Sequence, residues 1–153
     1  MRGNKGKNTK PETALRSLVH GLGYRFRIHG RSLPGIPDLV FSRRRKVIWF
    51  HGCYWHLHQG CRFATLPKTR AEFWTQKLNR NRQRDAEQEA RLKEMGWDYL
   101  IIWECEMKDQ AAVQKRVCEF LGPTRHLERQ AIQDAGTVPF PRQGIRRTIR
   151  AAE

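Results

Sequence analysis

The stretch KVIWFHGCYWHLHQGC, residues 46–61, joins an apolar run to a loop with an unusual composition. Its first six residues, KVIWFH, favour a β-strand. The segment HGCYWHLHQGC, residues 51–61, then holds three histidines, two cysteines, a tyrosine and a tryptophan. Packing of a helix or a strand does not require that mixture. We therefore expect a strand that ends at His51, followed by a loop whose side chains carry chemistry.

Periodicity outside this stretch predicts a mixed α/β domain. Thr9-Lys10-Pro11-Glu12 fits a capping box and opens a helix that Gly23 ends. A second capping box, Thr69-Arg70-Ala71-Glu72, opens a long charged helix that runs to Gly96. The other predicted elements are the strands YRFRIH (24–29), DLVF (38–41), KVIWFH (46–51) and WDYLIIW (97–103), and a last helix marked by Val113, Val117, Phe120 and Leu121. The order α-β-β-β-α-β-α predicts a central sheet with flanking helices, and the apolar run WDYLIIW is typical of a strand buried on both faces.

The charge of the chain favours a polyanionic partner. Thirty Lys and Arg residues against fifteen Asp and Glu residues give a net charge of +15, concentrated at the start, in SRRRK at 42–46 and in the tail. Nucleic acid is the simplest such partner, and a merely soluble basic protein is the alternative. No apolar run is long enough for a transmembrane helix, and the basic start lacks the apolar stretch of a secretory signal, so we expect a cytosolic protein. Residues 1–122 are predicted to form the folded domain and residues 123–153 a basic, mostly irregular tail.

Cysteines and histidines indicate a metal site. The four cysteines are at 53, 61, 105 and 118, and in a cytosolic chain metal binding or burial is more plausible than a disulfide. Cys53, His58 and Cys61 lie close in sequence, and Cys105 follows a predicted strand as WEC, which suits a tetrahedral, structural zinc site. His56 competes with His58 as the ligand. Cys118 falls within a helical apolar pattern and is expected in the core. Buried free thiols with surface histidines are the alternative interpretation of the whole set.

An acidic residue lies at the start of the second predicted strand. Asp38 follows Pro37 directly, where a turn role is the ordinary interpretation. The next strand ends at His51, and His56 follows soon after, so that a carboxylate and two imidazoles are expected to converge at strand ends. Carboxylates bind Mg²⁺ and histidines transfer protons near neutral pH. Together with the positive charge, this combination suggests hydrolysis of a phosphodiester.

Several segments of this chain, taken together, resemble the very-short-patch repair (Vsr) endonucleases over about residues 9–121. The segments that carry the resemblance, in this order, are PETALRSLVHGLGYRFR, LPGIPDLVF, HGCYWHLHQGC, PKTRAEFW and WEC. The resemblance implies an α/β restriction-endonuclease-like fold with a degenerate PD-(D/E)xK motif, a central mixed sheet flanked by helices and one structural zinc site. It also implies a Mg²⁺-dependent DNA mismatch endonuclease. Such an enzyme nicks one strand 5′ of the thymine in a T:G mismatch left by deamination of 5-methylcytosine.

The resemblance further implies a role for each matching residue. Asp38 is similar to the family's Mg²⁺-binding aspartate, which is assisted by a backbone carbonyl that Phe50 supplies here. Glu12 resembles a supporting acid, although helix capping explains it equally well. His51 occupies the place of the wider fold's lysine and, with His56, resembles a proton-transfer or phosphate-stabilising group. The implied zinc ligands are Cys53, His58, Cys61 and Cys105. The implied aromatic wedges beside the mismatch are Tyr54, Trp55 and Trp74, and burial of the two tryptophans in the core is the alternative.

Partners and location follow from the same resemblance. The implied partner is double-stranded DNA that contains a T:G mismatch, with mismatch-repair proteins as further candidates. A monomer without membrane contact is expected, in the bacterial cytosol at the nucleoid. Two other functions stay open at this point. One is a zinc-stabilised DNA-binding protein without catalysis, and the other is an endonuclease of the same fold that cuts unmodified sites.

Overall fold

A computed structural model describes residues 9–124, which form helices and strands in the predicted order. In chain order the elements are α1 (Lys10–Gly21), β1 (Arg27–Ile28), β2 (Leu39–Phe41), β3 (Lys46–His51), α2 (Ala71–Glu94), β4 (Asp98–Trp103) and α3 (Gln110–Leu121). The strands form one four-stranded sheet in the order β1-β2-β3-β4. The pairs β1–β2 and β2–β3 are antiparallel and β3–β4 is parallel, so the predicted mixed sheet is confirmed.

Both faces of the sheet are covered, because successive strand side chains alternate between two apolar clusters. The first cluster unites strand residues with α1 and α3; its fully buried members include Leu15, Val19, Leu39, Ile48, Ile102, Val113, Val117 and Leu121. The second cluster places Val40, Val47 and Trp49 with Leu92 of α2. In β4, Ile102 belongs to the first cluster while Ile101 packs against the second. The prediction of a strand buried on both faces is therefore correct only in part, because both faces are packed but Ile102 is the one fully buried residue of β4, which lies at the edge of the sheet.

The parallel strands β3 and β4 end side by side, and this arrangement positions the chemistry. Their register pairs His51, the last residue of β3, with Trp103, the last residue of β4. Each strand end is followed two residues later by a cysteine, Cys53 after β3 and Cys105 after β4. Two cysteines that are distant in sequence are thereby brought to the same edge of the sheet.

The basic run SRRRK has a structural role at helix ends. A guanidinium nitrogen of Arg44 donates to the Leu121 carbonyl at the end of α3, over 2.7 Å. Arg45 donates similarly to the Met95 carbonyl that follows α2, over 2.6 Å, and the Lys46 ammonium donates to another carbonyl of α3. The last carbonyls of a helix lack intrahelical partners and carry partial negative charge, so cations are favourable there. Arg44, Arg45 and Lys46 thus stabilise the fold. These contacts account for three of the basic residues in the run without a polyanionic partner, which stays a prediction for the chain as a whole.

The first strand is shorter than the segment YRFRIH predicts. Only Arg27 and Ile28 pair with β2, which itself has three residues and offers few backbone groups for a longer ladder. Tyr24 precedes the strand and is nevertheless buried. Its hydroxyl donates to the Gly122 carbonyl over 2.6 Å. The apolar alternation of the segment therefore reflects side-chain burial more than strand pairing.

One of the two predicted helix caps is correct. The Thr9 side chain accepts a hydrogen bond from the Glu12 N–H at 3.4 Å and caps α1, as predicted. The predicted cap at Thr69 is wrong, because Arg70 is the N-cap of α2. Arg70 has a φ of 52°, in the left-handed region, and its side chain makes no capping bond. The chain turns into the helix one residue later than the capping box requires, since a capping side chain belongs to an extended N-cap residue.

The prediction that Cys118 lies in the core is wrong. The buried face of α3 follows every fourth residue, through Val113, Val117 and Leu121. Cys118 is one residue past Val117, about 100° around the helix from that face, and its side chain is exposed.

The predictions for the amino-terminal start and for the tail concern residues 1–8 and 125–153, which lie outside the described residues. Within the described part, no helix is at once long enough and apolar enough to cross a bilayer.

Candidate active site and metal centre

Sulfur and nitrogen ligands converge where β3 and β4 end. Cys53 and Cys105 follow the two strand ends, and the loop after β3 brings His58 and Cys61 back to them. Main-chain hydrogen bonds shape this loop, from the His58 N–H to the Cys53 carbonyl at 2.9 Å and from the Cys61 N–H to the His58 carbonyl at 3.2 Å. Gly60, with a φ of 73°, supplies the left-handed turn between them. One ligand atom of each of the four residues lies within 4.8 Å of all the others, and we term them the Cys–His cluster.

The Cys–His cluster has the donor set and the spacing of a tetrahedral zinc site. The Nδ1 of His58 lies 3.6 Å from the Cys53 sulfur and 3.4 Å from the Cys105 sulfur. Bond lengths of about 2.3 Å to sulfur and about 2.1 Å to nitrogen, at tetrahedral angles, would separate these atoms by about 3.6 Å. Three thiols and one imidazole would fill all positions of a zinc ion, which is the pattern of a structural site. His58, and not the competing His56, belongs to this cluster.

The thiols of the cluster have perturbed acidities. Burial raises the pKa of Cys53 to about 12 and raises the pKa of Cys105 above its ordinary value. The backbone N–H of Phe63 acts on Cys61 in the opposite sense and lowers its pKa. A buried protonated thiol is a poor ligand, and a bound dication removes its proton. Metal binding here is therefore expected to release protons and to weaken as the pH falls.

Two histidines and an aspartate form a second group at the end of β3. His51 is buried, and the ring of His56 stacks on it with centroids 3.8 Å apart and planes 9° from parallel. The Nδ1 of His56 lies 2.6 Å from a carboxylate oxygen of Asp85, which comes from α2. A carboxylate beside Nδ1 holds a proton on that nitrogen and leaves Nε2 as the basic position. We term His51, His56 and Asp85 the His–Asp group.

The His–Asp group is suited to take up a single proton. Burial and then the neighbouring imidazole of His56 lower the pKa of His51 to about 3, against a smaller raising effect of Asp85. His51 is therefore uncharged near neutral pH. Two positively charged rings in face-to-face contact would repel one another, and of the two rings it is His56 that has the Asp85 carboxylate beside it.

The Asp38 carboxylate is anchored next to this group. The backbone N–H of Phe50, the residue before His51, donates to Asp38 Oδ2 over 2.8 Å. Burial raises the pKa of Asp38, and the negative charge of Glu12 adds to that effect, while the Phe50 N–H opposes it. A buried carboxylate with a second carboxylate nearby is a set of hard oxygen donors, which fits Mg²⁺.

Aromatic side chains from the loop and from the start of α2 form a further group, the aromatic cluster of Tyr54, Trp55, Phe73 and Trp74. Ring centroids are 5.1 Å apart for Tyr54 and Trp55, 6.0 Å for Tyr54 and Trp74, and 5.4 Å for Phe73 and Trp74. The ammonium of Lys77 lies between 5.2 and 5.9 Å from the centroids of Trp55, Phe73 and Trp74. Trp55 is 37% exposed and Phe73 55%, while Trp74 is half-buried. The alternative in which Trp55 is a core residue is therefore wrong.

Comparison with known proteins identifies the family. A family model described as DNA mismatch endonuclease Vsr matches residues 1–62. The type II nicking enzyme V.XorIIP of Xanthomonas oryzae pv. oryzae is 48% identical over 120 residues, which cover 78% of this chain and 88% of that protein. The DNA mismatch endonuclease Vsr of Escherichia coli is 39% identical over 145 residues, which cover 95% of this chain and 89% of that protein. The chain belongs to the Vsr family. A further relative of this chain is the type II nicking enzyme V.NmeAIP of Neisseria meningitidis serogroup A. It is 35% identical over 111 residues, which cover 72% of this chain and 79% of that protein.

As a member of the Vsr family, this protein is a DNA endonuclease. The fold places most of the predicted site residues in the Cys–His cluster, the His–Asp group and the aromatic cluster. The predicted zinc ligands form the Cys–His cluster, and the predicted aromatics join the aromatic cluster. His51 and His56 stack, while Asp38 is tied to Phe50. The two interpretations of Glu12 are compatible, since its N–H takes part in capping and its carboxylate acts on Asp38.

The sequence did not reveal three residues of these groups in this Vsr-family protein. Asp85 is 29 residues from His56 and resembles any other acid on a charged helix. The sequence indicated Phe73 and Lys77 only weakly. They lie four residues apart on α2, close to Trp74, and residues at that spacing share a helix face. Helical spacing from Trp74 would have found Lys77, and spacing from Lys77 would have found Phe73, whereas Asp85 required the tertiary fold.

Metal removal gives a first prediction. We expect one Zn²⁺ per chain, and Cys105→Ser should lose it and unfold at a markedly lower temperature, because metal binding contributes directly to folding free energy. Elemental analysis and thermal melting, with and without a chelator, measure both effects. Cys118→Ser is the matched control, since it removes an exposed thiol outside the cluster and should retain the metal. Correctly folded wild-type protein without bound metal would contradict this prediction.

Proposed function

We propose that this protein nicks one strand of duplex DNA on the 5′ side of the thymine in a T:G mismatch left by 5-methylcytosine deamination, and so initiates very short patch repair. Its family supports this function, and its relatives are named as a DNA mismatch endonuclease and as nicking enzymes. The observation that carries the proposal is the adjacency of two groups at the end of β3. Asp38 is bonded to Phe50, and the next residue, His51, stacks on the His56–Asp85 pair.

Mg²⁺ is the proposed catalytic cation, with Asp38 as its protein ligand. The Phe50 carbonyl is the proposed second ligand and Glu12 the supporting acid. When bound, the cation would stabilise negative charge on the phosphate and on the leaving oxygen. Zn²⁺ is the proposed occupant of the Cys–His cluster, where it would join the loop that carries His56 and Trp55 to the end of β4.

The His–Asp group is proposed to take the proton of the attacking water. The water oxygen forms a new bond to phosphorus, the bond from phosphorus to the leaving oxygen breaks, and the water proton passes to Nε2 of His56. Asp85 orients the ring and stabilises the imidazolium that results. His51 stays uncharged, so its contribution is a hydrogen bond to the phosphate and not neutralisation of charge, unlike the lysine whose place it occupies in the wider fold.

The aromatic cluster is proposed to recognise the mismatch. A T:G wobble pair stacks less well than a normal pair, and inserting apolar rings between base steps costs least where the stack is weak. Trp55 and Tyr54 lie in the loop after β3, and Trp74 lies on α2, so the same loop and helix supply the rings and the residues of the His56–Asp85 pair. The large positive charge of the chain would supply the sequence-independent attraction to DNA.

The sheet is proposed to be the core of a restriction-endonuclease-like fold, in which Pro37 and Asp38 begin a degenerate PD-(D/E)xK motif and His51 replaces the lysine. Residues 1–122 would form the endonuclease domain and residues 123–153 a basic tail. The protein would act as a monomer in the bacterial cytosol at the nucleoid, with mismatch-repair proteins as candidate partners.

A nicking assay tests this function. Duplexes that each carry one T:G mismatch in a different base context, together with matched T:A duplexes, are incubated with the enzyme in the presence and absence of Mg²⁺. A single nick 5′ of the mispaired thymine, dependent on Mg²⁺, is the expected result. Cleavage of both strands in the T:A duplexes would instead establish an endonuclease of unmodified sites.

Replacement of a wedge residue gives a second prediction. Trp55→Ala should reduce the preference for T:G over T:A duplexes by about 1–3 kcal/mol, the contribution of one stacked ring. Nicking should persist at high enzyme concentration, because the variant retains Asp38 and the His–Asp group. Phe63→Ala is the matched control, since Phe63 is 47% exposed and its ring makes cation–π contacts with Arg62 and Lys108 and belongs to no part of the aromatic cluster. Full mismatch preference in Trp55→Ala would show that the ring does not read the mismatch.

A further inference from the structure

Trp103 connects the Cys–His cluster with the His–Asp group. Its indole lies parallel to the ring of His58, with centroids 4.1 Å apart and planes 3° from parallel. It also makes an edge-to-face contact with His51, at 5.3 Å and 76°. Since His51 stacks on His56, an unbroken series of ring contacts runs from the metal-cluster histidine to the proposed proton acceptor.

Several contacts hold the backbone of Trp103, which carries the indole between the two histidines. Its ladder partner in the parallel pair is His51. Its N–H donates to the Glu106 carboxylate over 2.8 Å. Arg116 of α3 binds the same carboxylate and also donates to the Ile101 carbonyl over 3.2 Å. The backbone that carries the indole is therefore held by β4 and α3, while the ring itself contacts His58 and His51.

The two cysteines nearest the strand ends would add a constraint to these contacts when a metal ion is bound. Cys53 comes two residues after His51, and Cys105 comes two residues after Trp103. A metal ion bound to both sulfurs would fix the separation of the two strand ends. If the same metal ion also bound His58, it would fix the imidazole ring against which the Trp103 indole stacks.

We propose that Trp103 is a positioning residue that transmits the geometry of the Cys–His cluster to His51 and keeps His51 stacked on His56. The imidazole of histidine turns easily about its last side-chain torsion, which has a broad energy profile. His51, His58 and Trp103 line a cavity of about 420 Å³. Loss of the indole would enlarge this space and let the His51 ring turn away from His56. The catalytic part of this inference rests on the proposed function.

Three variants test the role of Trp103. Trp103→Leu removes the ring but keeps an apolar side chain, and Trp103→Phe keeps a flat ring. Trp97→Leu is the matched control, because Trp97 is also half-buried and lies at the opposite end of β4, with Arg45 over its ring. All are tested as full-length, zinc-loaded protein for single-turnover nicking, DNA affinity, release of zinc to a colorimetric chelator, and the NMR signals of the histidine rings at fixed pH.

Trp103→Leu should slow nicking and speed zinc release by about 10–100-fold each, the usual effect of losing a residue that orients a metal ligand. Its DNA affinity should stay within about twofold, because the lost contacts face the catalytic histidines and not the exposed aromatic cluster. Ring signals of His51 and His58 should shift together. Trp103→Phe should restore most of each property, and Trp97→Leu should lower stability alone.

Two results would overturn the inference. If Trp103→Leu loses stability as Trp97→Leu does but keeps wild-type zinc release and nicking, Trp103 is only a core residue. If zinc release accelerates while the His51 signals stay unchanged, the indole supports His58 without reaching His51. Failure of the proposed function is distinguishable, since a wild-type protein that does not nick T:G duplexes still reports zinc release and the coupled shift of the two rings.

Discussion

Replacing Asp38 with asparagine should abolish nicking while DNA binding persists. If Asp38 is the protein ligand of the catalytic cation, its loss should remove at least about 4 kcal/mol of transition-state stabilisation, or about 10³-fold in rate. Asparagine keeps an oxygen that accepts from the Phe50 N–H, so the local backbone should stay in place. Binding should be equal or tighter, because a carboxylate near phosphates is repulsive. Single-turnover nicking and equilibrium binding of the same T:G duplex measure the two effects.

The same variant should be at least as stable as the wild type. Burial raises the pKa of Asp38, so the folded state holds the proton more tightly than the unfolded state does. Stability from this group is therefore present at low pH and is lost as the pH rises through the raised value. At neutral pH, Asp38→Asn removes the free-energy cost of burying an ionised carboxylate. Its melting temperature should therefore exceed that of the wild type, and the difference should shrink as the pH is lowered. Added Mg²⁺ should raise the melting temperature of the wild type but not of Asp38→Asn.

Asp98→Asn is the control for these measurements, since Asp98 is an exposed carboxylate at the start of β4 and should leave nicking unchanged. If the Asp38→Asn variant nicks DNA at nearly the wild-type rate, the assignment of Asp38 as the ligand of the catalytic metal is wrong. A loss of nicking with a matching loss of affinity would assign Asp38 to DNA binding instead.

Short-range patterns in the sequence predicted much of the site. Cys53, His58 and Cys61 lie within a single loop, so any compact turn brings their side chains together. Cys105 was predictable because it follows a clearly apolar strand, and parallel strands such as β3 and β4 end at the same edge of a sheet. The number of strands, the number of α-helices and the end of β3 at His51 also followed from periodicity, since each depends on residues close in sequence.

The error at Cys118 was a misjudged helical spacing, whereas others arose where the fold departs from a local pattern. Tyr24 alternates with charged neighbours as a strand residue does, but burial of its ring needs no strand pairing. Thr69 has the sequence of a cap, but Arg70 takes a left-handed conformation that moves the start of α2. Neither of the last two outcomes is encoded within a few residues of the position concerned.

Asp85 is the clearest case of a site residue that only the fold identifies. The loop that carries His56 and the helix that carries Asp85 are separate elements, and the periodicity of α2 does not say which turn meets the loop. The position of the Asp85 carboxylate, 2.6 Å from His56 Nδ1, nevertheless decides which nitrogen of the ring is basic. A large effect is therefore expected from a residue that the sequence does not distinguish from its neighbours.

Asp85→Asn should lower the single-turnover nicking rate by about 10²–10⁴-fold, because the amide can donate to Nδ1 and so place the ring proton on Nε2, the wrong tautomer for a base. DNA affinity and zinc content should remain close to wild type, since Asp85 belongs to neither the Cys–His cluster nor the aromatic cluster. Glu89→Gln is the matched control. Glu89 lies one turn further along α2 and accepts a hydrogen bond from Tyr99 over 2.6 Å, so its loss should affect stability without slowing nicking.

A double variant then separates a shared role from two independent ones. If His56 and Asp85 act as one unit, His56→Gln combined with Asp85→Asn should be about as slow as the slower single variant, because groups that act together are strongly non-additive. Multiplied effects would mean that Asp85 works apart from His56, for instance by binding the cation itself. A near wild-type rate in Asp85→Asn would show that the carboxylate is not needed for proton transfer, and the assignment of Asp85 as the partner of a His56 base would be wrong.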